Sequence, residues 1–232
     1  MLIYAHRGAS IDFTEGSKAA YLGALAQGAD GFECDVRLTK DKQIICYHDS
    51  DTKRLSNINL KIANTTSKEL NLKVNPYYFA DLLDLAIRNR KDLIIESKHP
   101  VRTGWLIEKE LHCLLTKNTP QIQKSGIRVI LISFSYLATL RNKKSGFQSG
   151  LLINKKFMAR LNTTSVLAAN IEIIKKDQSF VLDQKKRGKR IIAWTVNTQE
   201  DLNLCKELGI HAVITDKPAL ARSLATSLNQ GW

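Results

Sequence analysis

LIYAHRGASIDFTEGSKAAYLGALAQGADGFECDVRL, residues 2–38, reads as a strand, a helix and a second strand. Leu2–Ala5 is a short apolar run that leads straight into a histidine. Ser17–Gln27 sets Ala20, Ala24 and Leu25 at helical spacing, and Gly28 follows as a stop. Gly31–Leu38 then alternates across two faces, as a strand does. Two strands joined through a helix pair in parallel. The same unit recurs down the chain. Candidate strands are Leu93–Ser97, Arg128–Phe134, Gly150–Ile153, Ile171–Ile174, Arg190–Val196 and Ala212–Thr215, and helical stretches include Phe79–Arg90, Trp105–Leu115 and Glu200–Leu208. With the first two, that makes eight strands, which predicts an α/β fold closed as a (β/α)8 TIM barrel. An open, doubly wound sheet shares the alternation. Gln43–Tyr47 is an additional short run, read as a hairpin or excursion after the second strand. Residues 49–78 are weakly patterned and read as a short loop or small insertion. No Pro/Gly-rich linker divides the chain, so residues 1–232 are expected to form one barrel domain.

Composition narrows the function classes. The apolar fraction of 44% is that of an ordinary globular protein. No apolar run is long enough for a membrane span, so no stable membrane insertion is expected. MLIYAHRGAS lacks the basic leader and long apolar stretch of a signal peptide. Cys34, Cys46, Cys113 and Cys205 are widely spaced and read as small buried apolar residues with reduced thiols, which makes a cytoplasmic location the default expectation. The net charge is +13, but the basic residues are scattered pairs such as Lys143-Lys144 and Lys155-Lys156. No nucleic-acid motif and no interleaved aromatics accompany them, so they read as solvated faces whose field would attract a small anionic substrate. Nothing in the pattern specifies an oligomeric state.

Five short segments carry residues suited to chemistry. His6-Arg7-Gly8 ends the first strand: an imidazole that titrates near neutrality, a guanidinium that forks onto phosphate oxygens, and a glycine that permits a close turn. Glu33 and Asp35 lie two apart in the second strand and share a face, opposite Cys34. Two like charges inside an apolar strand are costly, and a divalent cation relieves that cost. Oxygen-only ligands suit Mg²⁺, Ca²⁺ or Mn²⁺. A solvent-exposed edge strand would show the same alternation. Glu96 and Lys98 share a face at the carboxyl end of the third strand, as a metal ligand with a phosphate-binding lysine or as a structural ion pair. His48-Asp49 supplies a second histidine, so acid and base work could be divided between His6 and His48. Trp194 and Val196 are expected to share a face in the seventh strand, Trp194 as a wall beside substrate and Val196 in the barrel core. His99 lies just past Lys98; His112 and His211 read as structural.

In order along the chain, HRGAS, then TEGSKAAYLGALAQGADGFECDVRLTKDKQIICYHD, then IESK, then AWTVNTQEDLNLCKELGIHAVITDKPAL resemble the glycerophosphodiester phosphodiesterases. The likeness spans residues 3 to 220, with the middle, about 100 to 188, matched by pattern alone. It implies a (β/α)8 barrel that hydrolyses glycerophosphodiesters to glycerol 3-phosphate and an alcohol. It implies a divalent cation on Glu33, Asp35 and Glu96, an acid–base pair of His6 and His48, phosphate contacts from Arg7 and Lys98, and Trp194 lining the glycerol pocket. One departure is Thr14-Glu15-Gly16-Ser17, where the family has Pro-Glu-Asn-Thr; losing that asparagine bears on substrate orientation or on the rigidity of the first loop. Two other readings are a lysophospholipase D-type phosphodiesterase on the same barrel and a non-catalytic barrel that binds anionic ligands.

Overall fold

The computed structural model describes residues 1–101 and 103–226. Among these residues there are nine strands: β1 Leu2–His6, β2 Gly31–Leu38, β3 Ile44–Cys46, β4 Asp92–Ser97, β5 Val129–Ser133, β6 Gln148–Ile153, β7 Val166–Asn170, β8 Arg190–Trp194 and β9 Ala212–Thr215. The order β1-β9-β8-β7-β6-β5-β4-β2-β3, with β1 also paired to β2, closes eight parallel strands into a barrel. β3 is the exception and lies antiparallel on β2, with Val36 opposite Cys46. Closure excludes the open doubly wound sheet.

Alternation along each strand sorts side chains into two compartments. Outward residues such as Phe32, Cys34, Leu93 and Ile95 pack against the surrounding helices. Inward residues, including Tyr4, Ile94, Ile132, Leu152 and Ile192, fill the barrel. Each fully buried large apolar side chain contributes roughly 1.5–3 kcal/mol. That apolar framework offsets the cost of polar groups at the two ends. At the amino-terminal end, the Tyr4 hydroxyl donates to Asp92 Oδ2 at 3.0 Å, and Arg128 Nε donates to the same oxygen at 2.8 Å. Gly31 makes room for Tyr4: a Cβ there would stand 2.6 Å from the tyrosine ring.

The sixth barrel strand is not Ile171–Ile174. That run is the start of the helix Ile171–Lys176, and the strand is Val166–Asn170. Asn170 caps the helix by accepting a hydrogen bond from the Glu172 amide, so the chain turns just where the β-branched residues begin. β8 also ends early, at Trp194. Trp194 packs with the barrel interior, whereas Val196 is buried in the outer layer with Ala193 and Val213. The two therefore do not share a face, because strand alternation stops where the strand stops. Residues 49–78 hold the short helices Lys53–Ser56 and Ser67–Lys73 and a 3₁₀ turn at Ile62–Asn64. Ile62 and Leu70 anchor this segment on Ile45 and Tyr47 of the β3 region.

Candidate active site

The carboxyl ends of β1, β2 and β4 bring the candidate residues together. His6 registers with Glu33, and Asp35 registers with Glu96, so neighbouring strands place these groups side by side. β2 is flanked by β1 and β4, so its carboxylates cannot be those of an exposed edge. Glu33 is 3% exposed, Asp35 2% and Glu96 7%. One oxygen from each lies within 4.8 Å of the others.

Three buried carboxylates this close cannot all ionise without compensation. Burial, then the neighbouring Asp35 charge, raises the pKa of both Glu33 and Glu96 above the ordinary range. Asp35 is also pushed up by burial, but Lys98 and Arg7 outweigh this and hold it well below the usual carboxylate value. Its oxygens lie 2.7 Å from Arg7 Nε and 2.7 Å from Lys98 Nζ, yet neither carboxylate oxygen has a partner in hydrogen-bond geometry. Lys98 Nζ is also 2.8 Å from Glu96. The Glu96–Lys98 ion pair is real, and it is part of the cluster. Oxygen-only donors converging within one coordination sphere fit a hard divalent cation.

The turn after β1 is built around Arg7, whose φ of 56° is left-handed. Such a conformation in a non-glycine residue is costly and is held by its surroundings. The Arg7 amide donates to Glu33 Oε2 at 3.2 Å, and its guanidinium donates to Glu15 at 3.0 Å. Glu15 also accepts from Arg54, at 2.6 and 2.9 Å. Gly16 has a φ of 69°, a region that asparagine tolerates better than most residues, and its amide donates to the Arg7 carbonyl at 2.8 Å. The loop is thus tied through the Glu15 side chain and the backbone of residue 16.

His6 and His48 are both oriented by carboxylates. His6 Nδ1 is 2.6 Å from Asp216, leaving Nε2 4.0 Å from Glu33. Burial works to lower the His6 pKa, but the Asp216 hydrogen bond and the Glu33 charge prevail and raise it. His48 Nδ1 is 2.8 Å from Asp49. Here burial dominates, and the pKa falls. Arg37 holds this turn through two hydrogen bonds to the His48 carbonyl, at 2.9 and 2.6 Å. His48 shares the wall of a small cavity with Arg7 and Asp35. Trp194 stands half-buried at the top of the barrel interior, edge-on to Phe134 with ring centroids 5.5 Å apart. Its indole donates to the Ala168 carbonyl at 3.1 Å.

Asp216, Asn197 and Glu15 join the site through contacts that local sequence does not display. Asn197 donates to Asp216 Oδ2 at 2.6 Å and accepts from the Asp216 amide at 2.9 Å, and Ser10 donates to Asp216 Oδ1 at 2.9 Å. A signal was present: Asn197 and Asp216 both follow the carboxyl ends of strands. The other histidines are structural in their contacts. His99 Nε2 is 2.6 Å from the buried Glu108, His112 pairs with Asn142 at 2.9 Å, and His211 accepts from the Ile191 amide at 3.2 Å.

A family profile for the glycerophosphoryl diester phosphodiesterases matches residues 6–220. The chain belongs to this family. As a member, it is a phosphodiester hydrolase of the glycerophosphodiester type. Among similar proteins, "Probable glycerophosphodiester phosphodiesterase 1" of Mycobacterium tuberculosis is 28% identical over 95% of this chain and 91% of its own length. A glycerophosphodiester phosphodiesterase of Caldanaerobacter subterraneus is 26% identical over 94% of each. The barrel resembles a crystal structure of a glycerophosphodiester phosphodiesterase from Thermotoga maritima, with a TM-score of 0.82 and 24% identity over 97% of this chain and 98% of the other. It also resembles a phosphodiesterase of Oleispira antarctica in complex with the product sn-glycerol-3-phosphate, with a TM-score of 0.81 and 20% identity over 97% and 96%. At these identities the solved structures establish the fold. Among the described residues, no helix is long and apolar enough to cross a membrane.

Proposed function

We propose that this chain hydrolyses glycerophosphodiesters to glycerol 3-phosphate and an alcohol at the mouth formed by β1, β2 and β4. The observation that carries this reading is the buried Glu33–Asp35–Glu96 cluster, flanked by Arg7, Lys98 and two carboxylate-oriented histidines. Mg²⁺, Ca²⁺ or Mn²⁺ held by the three carboxylates would neutralise charge on a non-bridging phosphate oxygen. Arg7 and Lys98 bind the phosphate and share that load. His6 and His48 move the protons: one takes a proton from the attacking oxygen, and the other delivers one to the leaving alcohol. Asp216 and Asp49 orient the two rings, since each holds Nδ1 and leaves Nε2 for the proton transfer. Trp194 supplies an apolar wall for the glycerol moiety. A panel of glycerophosphodiesters with added divalent cation, scored for glycerol 3-phosphate, tests this function. Release from at least one of them is expected; no release from any would overturn it.

A second reading has its own observation. A cavity of about 480 Å³ opens beside Lys98 and Arg37, and its walls are Val36, Leu38, Ile62 and Val101 among others. That volume lies within the range of small-molecule sites, and its apolar walls suit an acyl chain. A diester bearing such a chain, a lysophospholipid, would place its phosphate at Lys98 and its tail in the cavity. Choline release from lysophosphatidylcholine but not from glycerophosphocholine would favour this substrate; the reverse would exclude it.

A further inference from the structure

Three neighbouring strands of the barrel wall end in segments of unusual composition. The segments after β4, β5 and β6 are KHPVRTGW (98–105), FSYL (134–137) and NKKFMARL (154–161). None contains Asp or Glu, so every fixed charge in them is basic. They also display large apolar side chains to solvent: Trp105 is 59% exposed, Leu137 62% and Phe157 64%. Tyr136 and Leu161 are exposed beside them. Because β4, β5 and β6 are consecutive in the barrel and these segments all leave from carboxyl ends, the side chains form one arc of the rim, at the same end as Glu33, Asp35 and Glu96.

The opposite arc is different. The segment after β1 carries Asp12 and Glu15, the segment after β3 carries Asp49 and Asp51, and Asp216 follows β9. That side also exposes Ile11, Phe13 and Ile58, and its Glu15, Asp49 and Asp51 are paired with Arg54 and Lys61, so what sets the β4–β6 arc apart is that its apolar and basic groups stand without any carboxylate in the same segments. Lys156 pairs with Asp177, but Lys155 and Arg160 are exposed and have no carboxylate partner among the described residues. Lys109 lies 5.8 Å over the Trp105 ring, keeping a positive charge at the indole.

Single exposed apolar residues are ordinary. Several on one arc, mixed with cations and free of anions, match a surface that is apolar below and anionic above. Aromatic rings such as Trp and Tyr settle at the headgroup level of a bilayer, and lysines are drawn to an anionic leaflet. A nucleic acid would use the basic groups but has no use for Leu137 and Leu161, which offer neither charge nor a stacking plane.

We propose that this arc seats the barrel mouth-down on an anionic lipid surface, as a peripheral contact without insertion of a helix. The proposal does not depend on which diester is cleaved, because the vesicle measurement below requires no turnover.

The test is co-sedimentation of the full chain with phosphatidylcholine vesicles, with and without phosphatidylglycerol. Three double variants accompany the wild type: W105A/F157A, K155E/R160E, and K186E/R187E as the control. Lys186 and Arg187 are exposed at the end of a helix that leads into β8, so they lie at the opposite end of the barrel, and the two charge variants remove the same formal charge. The wild type is expected to sediment with the phosphatidylglycerol vesicles and not with phosphatidylcholine alone. Each rim variant is expected to lose on the order of tenfold in partitioning, while the control stays near the wild type. Turnover of a water-soluble glycerophosphodiester by W105A/F157A at the wild-type rate would show that the variant is folded. Absence of wild-type binding would overturn the proposal. So would an equal loss in the control, since that would mean general attraction to a +13 protein. Rim variants that bind vesicles normally but lose RNA binding would replace the lipid with a nucleic acid.

Discussion

His6 and Asp216 are 210 residues apart in the chain, yet their side chains meet at 2.6 Å. Against the opposing effect of burial, that contact, with the Glu33 charge, raises the pKa of one proposed proton carrier. A histidine whose pKa is raised in the fold adds stability below its ordinary value, and the gain is lost as pH rises through the raised value. Asp216→Asn should therefore move the His6 limb of the pH–rate profile to lower pH and lower the thermal midpoint most near and below neutrality. A profile that stays in place would remove Asp216 from the account. His6→Ala and His48→Ala should each reduce kcat by roughly 10²–10⁴-fold, the usual loss on removing a general acid or base. Steady-state kinetics on glycerophosphocholine checks this, and near-full activity in either variant contradicts its role. The histidines and carboxylates were legible in the sequence because each follows or lies in an apolar strand, where an ionisable group stands out. Asp216, Asn197 and Glu15 were not, because their value lies in contacts with residues far along the chain.

At the scale of elements, β2 was the most readable part of the molecule. Its alternation assigns Phe32, Cys34 and Val36 to the helices and Glu33 and Asp35 to the mouth, and the barrel keeps that division. β7 is hidden in the sequence for a physical reason: Val166–Asn170 is short and rich in alanine, whereas the helix after it is rich in isoleucine, so β-branching marks the helix and not the strand. Local propensity yields there to the side-chain cap from Asn170. The turn after β1 depends on backbone space. A Cβ on Gly8 would lie 2.5 Å from the Ala20 carbonyl carbon, at a φ of 87°. Gly8→Ala should cost about 1–3 kcal/mol from backbone strain alone, as read by urea unfolding. The segment that carries Lys98 is anchored behind the site by Glu108, which is buried and holds both His99, at 2.6 Å, and Arg141, at 3.2 Å. Glu108→Ala leaves His99 and the partly exposed Arg141 without their shared acceptor and should cost about 1–3 kcal/mol. An unchanged unfolding midpoint would show that this anchor is dispensable.

For the whole molecule, the acidic cluster couples stability to the cation. Glu33 and Glu96 have raised pKa values in the fold, so between the ordinary glutamate value and those raised values the folded protein holds more protons than the unfolded chain. Without a divalent cation, stability should fall as pH rises through that window. Asp35 acts in the opposite sense, but its depressed pKa puts its loss at lower pH, outside the window. A cation that binds the ionised cluster removes the penalty and should raise the thermal midpoint more at pH 8 than at pH 5. The most direct test of the account is glycerol 3-phosphate release from glycerophosphocholine by EDTA-stripped protein, before and after Mg²⁺, Ca²⁺ or Mn²⁺ is restored, with Glu33→Gln and Glu96→Gln alongside. The account predicts negligible release after stripping, recovery with at least one of these ions, and little recovery in either variant. Full activity in EDTA, or wild-type recovery in both variants, would contradict it.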